Sequence, residues 1–246
     1  GGLQAQRWSH PEGNAVTCRP MKGTVKRGRW LAEDEGQAIW LQASKKNRAE
    51  NVMIVDMIRN DLGRLAEIGS VCVPELFRAE RYRTLWQMTS SVSAEIRAPF
   101  VELLQALFPC ASITGAPKVS TMQIIARLEN TPRKLYTGAI GYLAPQRQAQ
   151  FSVAIRTLIV EKTSGVAEYG VGGGIVWDST SKDEYAEALL KARVLTEIHP
   201  EFALLETLRW DPGPLGGYRL LDEHMRRLTE SSAYFSYPFE TAKIEA

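Results

Sequence analysis

The chain has 246 residues, 44% of them hydrophobic, and its 30 Lys and Arg nearly balance its 28 Asp and Glu, for a net charge of +2. That length holds one sizeable core, or one domain and part of another. The balanced charge gives no reading of nucleic-acid or membrane binding, no apolar run reaches bilayer length, and the three dispersed cysteines fit neither a disulfide framework nor zinc spacing. Cys18, Cys72 and Cys110 therefore read as reduced core or near-core thiols of a cytosolic protein. The opening Gly1-Gly2-Leu3 carries no initiator Met and reads as a cut end.

Residues 14–24 read as a strand entering a loop with Pro20 and Gly23, where Lys22, Lys26, Arg27 and Arg29 make the one basic stretch. From Glu33 to Arg64 the pattern is helical, with Ile39, Ala43, Val52, Ile54, Val55 and Ile58 recurring and Gly63 as the stop. Residues 71–73 suggest a short strand, 84–96 a longer one, and 100–107 an amphipathic helix ended by Pro109. Residues 112–117 form a turn into a helix, with Pro117 suited to its first turn and Thr114 to its cap. Residues 135–143 and 150–160 alternate as an antiparallel hairpin. A third strand at 166–171 then leads to Gly172, Gly173 and Gly174, and a helix is expected over 181–198. Beyond His199 the character changes: 202–210 is strand-like and 221–234 helical. Helices scattered among antiparallel hairpins predict an α+β fold.

The triple glycine removes every side chain that would keep an anion from backbone N–H groups. Glu184 and Glu187, three residues apart, fall on one face of the helix that follows. Acids beside an anion cradle repel the ligand unless a divalent cation sits between them. Magnesium prefers oxygen ligands and keeps several waters, so a further carboxylate such as Glu50, plus one from the substrate, suffices. Lys22 lies between Met21 and Gly23, two residues after Pro20, on a stiff backbone; it is either a solvated lysine or a nucleophile whose pKa is lowered. Lys118 at a helix start strengthens an anion reading of Thr114 and Gly115. Arg156 among apolar neighbours needs an acceptor, structural or from a ligand carboxylate, and Tyr136, placed in the partner strand, offers a hydroxyl to the same pocket.

These pieces occur in an order that resembles the chorismate-utilising enzymes. The matching stretches are Arg19-Pro20-Met21-Lys22-Gly23-Thr24, residues 49–64 (AENVMIVDMIRNDLGR), 112–118 (SITGAPK), 136–142 (YTGAIGY), 154–157 (AIRT) and 172–179 (GGGIVWDS) with Glu184 and Glu187. The resemblance covers residues 14–198 and implies the anthranilate synthase component I-like fold with its N-terminal part missing. Lys22 resembles the aminodeoxychorismate synthases, where anthranilate synthases carry a small residue. The resemblance thus implies amination of chorismate to 4-amino-4-deoxychorismate in the para-aminobenzoate and folate branch, by an amino-group-transferring enzyme; the alternatives are an anthranilate synthase component I-like chorismate enzyme and a non-catalytic segment that docks an amidotransferase. It implies that Lys22 attacks ring carbon 2, that Glu50 and Glu187, supported by Glu184, hold Mg²⁺, and that Thr114, Tyr136, Arg156, Gly172, Gly173 and Gly174 hold the substrate. Ammonia would come from a glutamine amidotransferase partner; no nucleic acid or membrane partner is expected.

The chain departs from the family pattern at Gln87, where many relatives carry histidine, and near Gln6, where they carry a catalytic glutamate. An acid–base role does not transfer to an amide. Residues 202–210 and 221–228 resemble the opening of 4-amino-4-deoxychorismate lyase, a pyridoxal-phosphate enzyme. The expected organisation is a chorismate-binding catalytic domain over 1–198, then a linker and the start of a fused lyase-like domain over 199–246.

Overall fold

The computed structural model describes residues 7–10, 14–175, 177, 179–196, 201–213 and 216–240. Gln6, Val176 and Asp178 lie outside the described residues. Seven strands form one antiparallel sheet: β1 (Arg7–His10), β2 (Ala15–Arg19), β3 (Met21–Lys26), β4 (Cys72–Arg81), β5 (Leu85–Glu95), β6 (Ala139–Ala144) and β7 (Gln148–Val153). Their order is β3-β5-β2-β1-β7-β6, with β4 on the other flank of β5. β2 and β3 follow one another along the same side of β5, residues 15–18 opposite 92–95 and residues 21–26 opposite 85–89. Pro20 sits between them and lacks a donor, but its carbonyl still accepts from Ser90 N at 3.1 Å, so the ladder is bridged.

Across this sheet lies α2 (Lys45–Gly63). Its Ile54, Val55, Ile58 and Leu62 recur at helical spacing and pack on Val16, Cys18, Val92, Ala94 and Ile96, with Leu103 and Leu107 of α3 (Phe100–Leu107) closing one end. Each such side chain, fully buried, contributes about 1.5–3 kcal/mol.

Several expected elements differ. The single long helix is two, α1 (Leu31–Ala43) and α2. Ser44 between them is extended, and its hydroxyl accepts from Asn47 N at 3.4 Å as the cap of α2. Ile39 and Val52 are exposed, on faces the break turns away from the core. The short strand at 71–73 is the start of a ten-residue edge strand; Pro74 hides it from a propensity reading, and the register shifts on either side of Glu75 absorb the disturbance. Cys72 on that edge is exposed, whereas Cys18 and Cys110 are buried and burial pushes both thiols up.

The short helix α4 (Ala111–Thr114) precedes α5 (Lys118–Leu128). Thr114 does not cap α5: its hydroxyl donates to Cys110 O at 3.1 Å, and Pro117 takes the cap position instead of the first turn. The expected hairpin forms as β6 and β7, but the second strand stops at Val153. Arg156 lies beyond it, not in a strand, with φ of 51°, a left-handed backbone that ends the ladder. β8 (Leu158–Val160) and β9 (Ala167–Tyr169) pair apart from the main sheet. Tyr136 likewise precedes β6, in a turn. α6 (Ser181–Ala192) is capped by Thr180, which accepts from Asp183 N at 3.2 Å, and ends in a 3-10 turn, Arg193–Leu195. In the stretch read as a strand over 202–210, regular pairing occurs only where β10 (Trp210–Asp211) meets β11 (Gly217–Tyr218); α7 (Leu221–Phe235) follows.

Candidate active site

Lys22 owes its placement to a local irregularity. The β3–β5 register shifts between Met21 and Thr24, and Gly23 there has φ of 92°. A bulge of this kind re-aims the neighbouring side chain, and glycine adopts the positive φ without steric cost. Gln87, buried on β5, fixes the bulge: its amide donates to Gly23 O at 2.7 Å and its carbonyl accepts from Thr24 Oγ1 at 3.1 Å. Asn51 on α2, buried, donates to Lys22 O at 3.3 Å and accepts from Ser90 Oγ at 2.6 Å. Gln87 thus holds the lysine loop by structure, a role open to an amide. Glu50, half-buried, stands next to the residue that grips the Lys22 carbonyl.

The glycine turn faces this bulge. A Cβ placed on Gly174 would lie 3.5 Å from Lys22 Nζ, one on Gly172 would lie 2.7 Å from the Tyr136 hydroxyl, and one on Gly173 would lie 2.5 Å from Glu184 Oε2. Side chains at these positions would fill the space that amine, hydroxyl and carboxylate now border. Glu184 is steadied by Ser179, whose hydroxyl donates to Oε1 at 2.6 Å. Lys191 donates to Gly172 O at 2.9 Å and pairs with Glu187 at 2.6 Å, so α6 and the glycine turn are tied together. Sequence reasoning alone misses these roles of Lys191 and Ser179; the i, i+4 spacing of Glu187 and Lys191 on one helix is the available signal.

Tyr136 packs its ring against Gly170. Burial pushes its hydroxyl up, which keeps it a neutral donor. Tyr169, also missed, holds a buried hydroxyl without a hydrogen-bond partner among the described residues. Burial raises it as well, with the nearby Arg156 charge opposing. An orphaned buried hydroxyl beside a guanidinium suits a ligand that brings acceptors, such as a carboxylate.

Lys118, Thr114 and Gly115 have structural partners of their own. Lys118 Nζ donates to Asp61 Oδ2 at 2.8 Å and Ala106 O at 3.1 Å, joining α5 to α2. Thr114 closes its own short helix. Gly115, with φ of 108°, faces the Thr121 methyl at 3.2 Å from where its Cβ would be. Among the described residues no group of three His, Cys, Asp or Glu gathers as a ready metal cage. Hard carboxylate oxygens on one face of α6 still match magnesium, which takes one or two protein carboxylates and completes its shell with water and substrate.

The family of chorismate binding enzymes matches residues 7–197. Aminodeoxychorismate synthase of Streptomyces pristinaespiralis is 47% identical over 177 residues, 71% of this chain and 24% of that protein. Aminodeoxychorismate synthase component 1 of Escherichia coli (strain K12) is 42% identical over 199 residues, 80% of this chain and 44% of that protein. Among solved structures, anthranilate synthase component I from Streptococcus pneumoniae superposes with a TM-score of 0.70 at 33% identity, over 80% of this chain and 43% of that one. The chain therefore spans less than half the length of each of these relatives.

Proposed function

The chain belongs to the chorismate binding enzyme family, and from that premise we propose that it carries the aminating site of an aminodeoxychorismate synthase component I. The observation that carries this reading is Lys22: its amine faces the glycine turn and has no hydrogen-bond or ion-pair partner among the described residues.

In the proposed reaction the Lys22 amine lone pair forms a bond to ring carbon 2 of chorismate, the two conjugated ring double bonds shift together toward carbon 4, and the 4-hydroxyl leaves as water with a proton given up by the amine. Ammonia then adds at carbon 4, both double bonds shift back, and the bond from carbon 2 to the lysine nitrogen breaks; a proton passes from the added nitrogen to the lysine nitrogen, which regenerates the amine. Tyr136, Arg156 and the N–H groups of Gly172, Gly173 and Gly174 hold the carboxylates. Glu184 and Glu187, with Glu50, would hold Mg²⁺, which when bound supplies Lewis-acid charge stabilisation. The ammonia source is a glutamine amidotransferase partner, and residues 199–246 begin a lyase-like domain fused behind residues 1–198. Among the described residues no helix is long and apolar enough to cross a membrane.

Incubation of the chain with chorismate, Mg²⁺ and an ammonium salt is expected to yield 4-amino-4-deoxychorismate, and K22A is expected to lose at least about 100-fold in rate. Intact-mass analysis of the wild type with chorismate alone is expected to show an adduct that K22A lacks. Amination by K22A at the wild-type rate would overturn the covalent role.

A further inference from the structure

The segment beyond the family-matched residues packs back onto the domain. It is internally connected first: Phe202 lies edge-on to Phe235 at 4.9 Å, Tyr237 donates to Phe202 O at 2.5 Å, and Glu206 binds both His224 and Arg227 of α7. Helix α7 ends at Ser236, whose φ of 59° is the left-handed conformation that stops a helix, and Tyr237 N returns to Ser232 O at 3.0 Å.

Such an end leaves carbonyls without intrahelical donors and a partial negative charge. Two arginines of the main domain meet them. Arg81, the last residue of β4, donates to Ala233 O at 3.0 Å, which accepts only a long 3.4 Å bond from Ser236 N besides, and to Ser236 Oγ at 2.8 Å. Arg27, immediately after β3, donates to Tyr234 O at 3.1 Å. Its guanidinium lies 4.6 Å from the Tyr234 ring centroid and 5.8 Å from that of Trp86. Tyr234 reciprocates, its hydroxyl donating to Gly28 O at 2.6 Å. Arg27 is held for this task by Asp34 at 2.6 Å and by Tyr82 O at 3.2 Å, with its side chain 9% exposed.

We propose that the corner where β3 and β4 end and β5 begins is a docking surface for the C-terminal end of a helix. Its two arginines cap α7 across the interface, which seats that helix beside the strand that carries Lys22. The occupant it fits is α7, a helix end whose last-turn carbonyls still have room for a donor and whose last turn carries a tyrosine. This proposal does not depend on the aminating activity.

Hydrogen exchange on the intact chain tests it. R81A removes an exposed side chain that the site above does not use, and Y234F removes a single hydroxyl. In wild type, the amides of α7 are expected to be protected. In Y234F they should exchange about fivefold faster, the loss of one net hydrogen bond, and in R81A severalfold faster, while the amides of α2 keep their rates. The proposal is overturned if α7 is unprotected in wild type, if neither substitution changes α7, or if α2 accelerates equally, since the arginine would then support the whole domain instead of a docked helix.

Discussion

Asp34 is the residue on which this corner turns. It is 1% exposed, and its Oδ1 accepts from Arg27 Nε at 2.6 Å, Trp86 Nε1 at 2.8 Å and Gly28 N at 2.9 Å. Burial alone pushes the carboxyl up, but these donors together outweigh it and hold its pKa below the ordinary value. D34A strands a nearly buried guanidinium, and a loss of about 3 kcal/mol in urea unfolding is expected. A depressed folded pKa means the stabilisation is present above the unfolded carboxylate value, about 3.9, and is lost as pH falls through the folded value. Unfolding midpoints of the wild type should therefore drop below about pH 4, and D34A should lack that share of the drop. Lys22, Tyr136 and the three glycines are singled out in the sequence by the family resemblance more than by residue types and spacing, and the structure sets them beside one another. Asp34 is not, because an aspartate in a first helical turn reads as an ordinary dipole partner, and Trp86 lies 52 positions away in the chain.

Among elements, α1 shows how the same residue type answers to different surroundings. Gly36 sits within the helix, and a Cβ added there would meet nothing within 4 Å, so G36A should gain about 0.5–1 kcal/mol from reduced unfolded-chain freedom and better helix propensity. Gly28 just before the helix differs: a Cβ there would run into the backbone of Glu33 and Asp34, which cannot yield as a flexible side chain can. G28A should lose about 2 kcal/mol or more. Thermal unfolding of the two variants should thus move in opposite directions. The bounds of α3 and the buried stripe of α2 are readable because periodicity and burial coincide there. The break at Ser44 and the full length of β4 are not. The first depends on a cap that competes with a continuous apolar pattern; the second depends on pairing with β5, which carries Pro74 along an edge where a missing donor is tolerated.

For the whole molecule, surface decides behaviour. The accessible area is 16649 Å² for 27.5 kDa, whereas a compact monomer of that mass exposes about 11,000 Å². Large apolar side chains contribute to that exposure, those of β6 among them. Among the described residues β6 is hydrogen-bonded to β7 alone, and it carries Ile140, Tyr142 and Leu143 at 47%, 55% and 60% exposure, so its apolar side chains are exposed on both faces. Alternation in the sequence reveals this strand but not its openness, since period-two patterning marks a strand and says nothing of how many neighbours it finds. An exposed apolar edge is a template for pairing with another chain, and a lysine on it is the usual deterrent. The isolated 246-residue chain should therefore self-associate as concentration rises, and L143K should weaken that association. The substitution removes no buried contact, so its unfolding free energy should stay within about 0.5 kcal/mol of wild type. Sedimentation velocity across a concentration series reads the first effect and urea unfolding the second. Equal association of the two proteins would mean that contact between copies forms elsewhere than on β6.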